Sequence, residues 1–132
     1  MRLSRVLPVV VGLLLPLSVG AQTPPLIRVE MSEFAFRPAT IHLTAGRLVR
    51  LELVNGGQIT HQFETAYLRT LPVRITGGTV YAETPGLDLI RLDPGGTARV
   101  EFLPRRTGRF VFACTLEGHQ EAGMQGVLEV SK

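Results

Sequence analysis

Two aromatic residues and a cysteine occupy every second position near the C-terminus, in the segment Phe110-Val111-Phe112-Ala113-Cys114. Residues two apart on an extended strand share a face, so this spacing predicts a strand whose buried face carries both phenylalanines and the cysteine. A loop containing glycines follows, and the alternation in Gly126-Val127-Leu128-Glu129-Val130 predicts a last strand. The C-terminal segment is therefore predicted to form a β-hairpin with the cysteine at its closed end.

The loop of this hairpin carries potential metal ligands with the spacing Cys-x4-His-x4-Met, at Cys114, His119 and Met124. Thiolate and thioether sulfur suit Cu(I), and imidazole nitrogen suits both oxidation states of copper. Cys114 is the only cysteine, so it cannot form an internal disulfide, and an exposed free thiol outside the cytosol would be oxidised. A buried structural cysteine is the more common alternative. The spacing of the three residues nevertheless favours a mononuclear copper site.

The site needs a further ligand, and the two remaining histidines differ in their surroundings. His61 follows the turn sequence Asn55-Gly56-Gly57 and shares a strand face with Phe63, which predicts that it points inward. His42 lies between two inward-pointing aliphatic residues, so it is predicted to face solvent. A buried histidine more often has a structural hydrogen bond than a metal. The downstream hairpin is what favours His61 as the missing ligand.

Short alternating strands separated by turn residues account for much of the chain after residue 25. Apolar and polar residues alternate around Val29, Leu51 and Val100, with turn sequences between these segments. This pattern predicts an all-β fold, an antiparallel β-sandwich. Residues 65–96 are less regular, and we expect them to pack beside the ligand loop or along a sheet edge, with an edge strand near Leu89.

Residues 1–21 predict a secretory signal peptide, with Arg2 and Arg5 before an apolar segment and a small-residue cleavage site at Val19-Gly20-Ala21. The apolar segment is short for a bilayer span, and an uncleaved anchor is the alternative. We therefore expect a periplasmic or extracellular protein without a transmembrane span in its mature form. The predicted domain, residues 22–132, has 12 basic and 11 acidic residues. It has no basic run with interleaved aromatics, which gives no support for nucleic-acid binding.

Together, the residues described above resemble the cupredoxin family. The upstream pattern is Asn-Gly…His-x-Phe, from Asn55 to Phe63, and the downstream pattern is Phe-x-Cys-x4-His-x4-Met, from Phe112 to Met124. The resemblance covers essentially all of residues 22–132, and the ligand-loop lengths are closest to the rusticyanin and auracyanin type. It implies an antiparallel Greek-key β-sandwich that holds one type 1 copper ion.

The resemblance also implies a ligand arrangement. Cys114, His61 and His119 would form a trigonal plane around copper, with Met124 as a long axial ligand. A backbone N–H near Gln62 would donate to the cysteine sulfur. Many family members have Asn or Ser at the position of Gln62. That departure leaves open which side chain provides the hydrogen bond that holds the ligand loop.

The function that the resemblance implies is outer-sphere transfer of one electron between redox partners, without enzymatic activity. Copper enzymes of the nitrite reductase or multicopper oxidase kind need more histidine ligands than His61 and His119 for a second copper centre. The alternatives are a periplasmic copper chaperone or storage protein, a non-redox structural β-sandwich, and zinc at the same ligands. A chaperone or storage protein would be expected to contain Met-rich or His-rich tracts, which this chain lacks.

The expected partners are redox proteins, which include membrane-bound respiratory components, and the protein itself is expected to be a monomer. Small or apolar residues surround His119 in the ligand loop, so the imidazole edge is expected to reach an uncharged surface patch. Glu117 and Glu121 would add negative charge at its rim. A patch of this kind suits small, short-lived encounters.

Overall fold

The computed structural model describes residues 23–132, so the predicted signal peptide, residues 1–21, lies outside the described residues. Two sheets, of six and five strands, make up most of this part of the chain. No helix among residues 23–132 is long and apolar enough to span a membrane. In chain order, the strands are β1 (Leu26–Ser32), β2 (Ala35–Arg37), β3 (Thr40–Thr44), β4 (Val49–Asn55), β5 (His61–Glu64), β6 (Val73–Gly77), β7 (Val80–Thr84), β8 (Leu89–Leu92), β9 (Thr97–Phe102), β10 (Gly108–Ala113) and β11 (Gln125–Ser131).

The strand order is β2-β1-β4-β9-β6-β7 in one sheet and β3-β11-β10-β5-β8 in the other. The predicted β-sandwich is confirmed. Within it, the pairs β1–β4 and β3–β11 are parallel, whereas the other pairs are antiparallel. Parallel neighbours require a crossover connection. Here the chain passes through the opposite sheet between β1 and β4, because β3 belongs to that sheet.

The predicted alternation decides which side chains fill the space between the sheets. Val29 and Met31 of β1 are fully buried, as are Leu51 and Leu53 of β4. Val111 of β10 is 57% exposed on the opposite face. Burial of each large aliphatic side chain contributes roughly 1.5–3 kcal/mol to folding. The strand faces predicted from the two-residue period are thus those of the fold.

Three phenylalanines pack against one another below one end of the sandwich. The rings of Phe63 and Phe112 are stacked, with centroids 4.9 Å apart, and Phe36 meets Phe112 edge-to-face at 5.0 Å. Such pairs add about 0.5–1.5 kcal/mol each beyond the burial of their surface. Phe63 lies two residues after His61, and Phe112 two residues before Cys114. This aromatic cluster therefore supports both strands that carry predicted ligands.

The less regular segment lies mainly along the sheet edges, as expected. A short 3₁₀ helix, Ala66–Thr70, follows β5, and the Tyr67 hydroxyl donates to the carbonyl of Arg106 at 3.0 Å. Strands β6 and β7 extend the six-stranded sheet, and β8 pairs with β5 at the edge of the other sheet. The predicted edge strand near Leu89 is thereby confirmed, and it covers the strand that begins at His61.

Candidate metal centre

His61, Cys114 and His119 come together at one end of the sandwich. Each offers one ligand atom, and these atoms all lie within 4.8 Å of one another. The sulfur of Cys114 is 3.2 Å from Nδ1 of His119, and the two imidazole centroids are 5.2 Å apart. Cys114 and His61 are fully buried, whereas His119 is partly exposed. The convergence of one sulfur and two ring nitrogens, predicted from the sequence, is present in the structure.

Neighbouring strands fix the positions of the two buried ligand candidates. His61 is the first residue of β5, and Cys114 follows the last residue of β10. The two strands are paired through Ala113 and Glu64, so the ends that carry the side chains lie side by side. Because side chains alternate on a strand, both point to the inner face together with the aromatic cluster.

Backbone hydrogen bonds within the ligand loop place His119 and Met124. The Cys114 N–H donates to the carbonyl of Met124, and the Met124 N–H donates to the carbonyl of His119, both at 3.0 Å. The side chain of Met124 is fully buried in the core. Gly118 and Gly123 bend this loop with φ values of 80° and 98°, in the left-handed region that favours glycine.

Gln62 holds the cysteine side of the site through both its backbone and its side chain. Its N–H lies 3.4 Å from the sulfur of Cys114, as predicted. The side-chain amide donates to Oγ1 of Thr115 and accepts from the guanidinium of Arg91 at 3.1 and 3.2 Å. Thr115 in turn donates to Glu64 at 2.5 Å. The side chain that holds the ligand loop is therefore Gln62 itself, which is long enough to reach Thr115.

The ring of His61 is buried, and neither of its nitrogens has a hydrogen-bond partner among the described residues. Oε1 of Glu33 approaches Nε2 to 3.4 Å, without hydrogen-bond alignment. Burial lowers the pKa of His61, and Glu33 opposes this effect only in part. The ring is therefore neutral near pH 7, which is the form that binds metals. An unpartnered buried polar group costs about 1–3 kcal/mol, and a metal ion beside the cysteine sulfur would satisfy it.

Two residues beside the site were not predicted from the sequence. Glu33 lies next to His61, and the ring of Phe34 meets that of His119 edge-to-face at 4.9 Å. Both belong to the turn between β1 and β2. No spacing relative to the ligand motif marks this turn. The only signal was an aromatic residue, Phe34, directly beside a predicted strand end.

The chain matches the family model of the cupredoxin-like domain over residues 5–130. It is 32% identical over 114 residues to the copper-resistant cuproprotein CopI of Rubrivivax gelatinosus, covering 84% of this chain and 69% of that protein. Identity to the protein of the same name from Pseudomonas aeruginosa is 24%, covering 84% and 78% of the two chains. The structure of auracyanin B superposes with a TM-score of 0.59 at 23% identity, covering 84% of this chain and 92% of that one.

The chain belongs to the cupredoxin-like family. It is a copper protein, because family membership coincides with a donor set of one thiolate and two imidazoles that suits copper. The family match begins within the predicted signal peptide, and the boundary between residues 21 and 22 stays a prediction.

Proposed function

We propose that this protein is an exported type 1 copper protein that carries one electron at a time between partner proteins. His61, Cys114, His119 and Met124 are the residues that would hold the ion. The observation that supports this assignment is the preformed cluster of one sulfur and two imidazole nitrogens within 4.8 Å. The proposal includes electron transfer alone and no chemical conversion of a substrate. Its setting would be the periplasm, in accordance with the predicted signal peptide.

Copper, when bound, supplies a Cu(I)/Cu(II) couple whose two states need little change in ligand geometry at such a site. The protein contributes a rigid frame. Cys114 and His61 are held by paired strands above packed aromatic rings, which keep water away from them. The Gln62 N–H withdraws electron density from the Cys114 sulfur, which favours the reduced state. Fixed donors of this kind support fast outer-sphere transfer.

A partly apolar surface surrounds the exposed edge of His119. We call the residues Phe34, Ile59, Leu116 and His119 the copper-end surface. Phe34 is 40% exposed and Ile59 41%, and Leu116 and His119 are partly exposed. Electron carriers form small, transient complexes, and a limited apolar patch suits such encounters. We propose that partners dock here and exchange electrons through the imidazole of His119.

Exposed acidic residues lie at the rim of this surface, Glu117 and Glu121 in the ligand loop. Opposite charges at an interface steer encounters and are screened by salt. The expected partner therefore has a positively charged rim around its own redox site. Association rates with such a partner should fall as ionic strength increases.

A second candidate function is copper handling, which is supported by the relatives named as copper-resistant cuproproteins. A protein that passes on Cu(I) needs exposed soft ligands through which the ion can be exchanged. Here Met31 and Met124 are both fully buried, and so is Cys114. Electron transfer fits these buried sulfur ligands better than metal transfer does.

The ligand assignment can be tested by adding Cu(II) to the protein and recording visible absorption and electron paramagnetic resonance spectra. The proposal predicts an intense thiolate-to-copper charge-transfer band with narrow copper hyperfine splitting. His61→Gln should abolish both features. His42→Gln is the matched control, because His42 is on the solvent face with its side chain 76% exposed, and it should leave both unchanged. A wild-type protein without the band would overturn the proposal.

The two candidate functions can be separated with isotopes. Reduced protein loaded with ⁶³Cu is mixed with oxidised, ¹⁵N-labelled protein loaded with ⁶⁵Cu. Electron exchange is followed by line broadening in NMR spectra, and the copper isotope in each chain by native mass spectrometry. A carrier exchanges electrons rapidly while each chain keeps its isotope. Mixing of the isotopes on the timescale of electron exchange would instead favour copper handling.

A further inference from the structure

One carboxylate oxygen faces three nitrogen atoms next to the metal centre. Oε1 of Glu33 accepts hydrogen bonds from the backbone N–H groups of Gln58 at 2.6 Å and Ile59 at 3.1 Å. The same oxygen lies 3.4 Å from Nε2 of His61. Glu33 and His61 are far apart in sequence, so the contact exists only because the turn after β1 and the turn before β5 meet.

The turn before β5 is built to receive this carboxylate. A Cβ atom at Gly57 would lie 3.0 Å or less from the carboxylate atoms of Glu33, so a larger residue would displace them. Asn55 holds the turn in shape, because its Oδ1 accepts from Gly57 N at 2.9 Å. Its Nδ2 donates to the carbonyl of Ile59 at 2.8 Å. Gly57 therefore has two roles: it forms part of the turn, and it leaves room for the carboxylate of Glu33.

A histidine that binds a metal through one nitrogen almost always donates the other ring N–H to an acceptor. The fully buried ring of His61 has no other candidate, since neither nitrogen has a hydrogen-bond partner among the described residues. Glu33 Oε1 lies 3.4 Å from Nε2, at the outer limit of hydrogen-bond distance, and is the carboxylate oxygen that approaches this nitrogen. The lone pair of Nδ1 is then free to bind the metal ion.

We propose that Glu33 is a positioning residue for His61, an inference that rests on the copper site of the proposed function. Glu33 accepts the Nε2 hydrogen of His61 and thereby selects the tautomer in which Nδ1 is free to bind copper. Its negative charge, 33% exposed at the side chain, also favours the more positive oxidised state of the ion. The neighbouring Phe34 contacts His119, so a single turn constrains both imidazoles.

The tautomer is measured first in the copper-free protein, from the ¹⁵N chemical shifts of the histidine ring nitrogens. In the wild type, Nε2 of His61 should carry the hydrogen. Glu33→Ala should give a mixture of tautomers and lower Cu(II) affinity about 10- to 100-fold. Glu33→Gln keeps an oxygen at the same place but removes the charge. It should retain the tautomer and the visible band while the reduction potential rises.

Glu30→Gln is the matched control. Glu30 lies in β1 beside Gly56, carries the same charge as Glu33 and has no described contact with His61. It should leave the tautomer, the copper affinity and the potential unchanged. The inference is overturned if Glu33→Ala retains both the wild-type tautomer and the wild-type affinity. It is also overturned if Glu33→Gln and Glu30→Gln shift the potential equally. If Glu33→Ala does not fold, the comparison of the two glutamine variants decides. A wild-type protein that never develops the visible band defeats the proposed function instead.

Discussion

The backbone N–H of Gln62 lies 3.4 Å from the sulfur of Cys114, although the two residues are 52 positions apart. The side chain of the same glutamine donates to Thr115, the residue after the cysteine. Gln62 therefore joins the strand that begins at His61 to the end of the strand that leads to Cys114. The distance between the sulfur and the buried imidazole depends on this connection.

Replacement of the sulfur tests the ligand set most directly. Cys114→Ser should abolish the intense visible absorption, because the charge transfer originates from the thiolate. The fold should persist, since serine is no larger than cysteine and the aromatic cluster below it is unchanged. Visible spectra and far-ultraviolet circular dichroism measure the two outcomes. Colour retained in the variant would mean that the sulfur is not a ligand.

Coordination of copper by Met124 is tested by Met124→Leu. This change conserves volume and should cost less than about 1.5 kcal/mol in a fully buried site. Loss of a weak sulfur donor destabilises Cu(II) relative to Cu(I), so the reduction potential should rise while copper stays bound. Voltammetry of the loaded variant measures the shift. An unchanged potential would count against coordination by Met124.

Gln62→Ala removes the side-chain link between β5 and the ligand loop. The partly buried hydrogen bonds to Thr115 and Arg91 are lost, and at about 0.5–1.5 kcal/mol for each partner the free energy of unfolding should fall by about 1–3 kcal/mol. Denaturant unfolding of the copper-free protein measures the loss. Thr60→Ala is the control, because it removes an exposed hydrogen bond to Asp93 and should cost about 1 kcal/mol or less. Equal losses in the two variants would contradict this role for Gln62.

The copper-free protein should become less stable as pH falls. Burial lowers the pKa of His61 below its ordinary value of 6.5, so below pH 6.5 the unfolded chain binds more protons than the folded one. The pKa of Glu33 is likewise lowered below 4.5, chiefly by the hydrogen bond from the Gln58 N–H. This adds a second loss of stability below pH 4.5.

Thermal unfolding between pH 7 and pH 3 measures this loss of stability. His61→Gln should remove the part of it that begins near pH 6.5. A melting temperature that does not change between pH 7 and pH 5 would contradict the assignment to His61.

Local patterns were sufficient to predict the strands and the main features of the site. The two-residue period correctly placed Phe112 inside and His42 outside. The motif spacing identified the residues that converge, because Cys114 and His119 lie in one hairpin and His61 lies on the inner face of its strand. Even the N–H donor to the sulfur was predicted correctly.

Features that depend on how distant segments meet could not be predicted from the sequence. The parallel pairing of β1 with β4 follows from a crossover between sheets, which leaves no local signal in either strand. The contact between Glu33 and His61 depends on two turns that approach each other, and Glu33 by itself has an ordinary position after an amphipathic strand. Coordination by Met124, the signal peptide and the electron-carrier role stay predictions.

Strand β11, Gln125–Ser131, lies between β3 and β10, so two neighbours bond to its backbone. Its pairing with β10 also closes the loop that contains His119 and Met124. The residues that precede β11 therefore cannot complete the five-stranded sheet on their own. A folding chain in which this strand has not yet docked should lack a finished cavity for the ion. Copper binding should therefore follow the docking of β11 during folding.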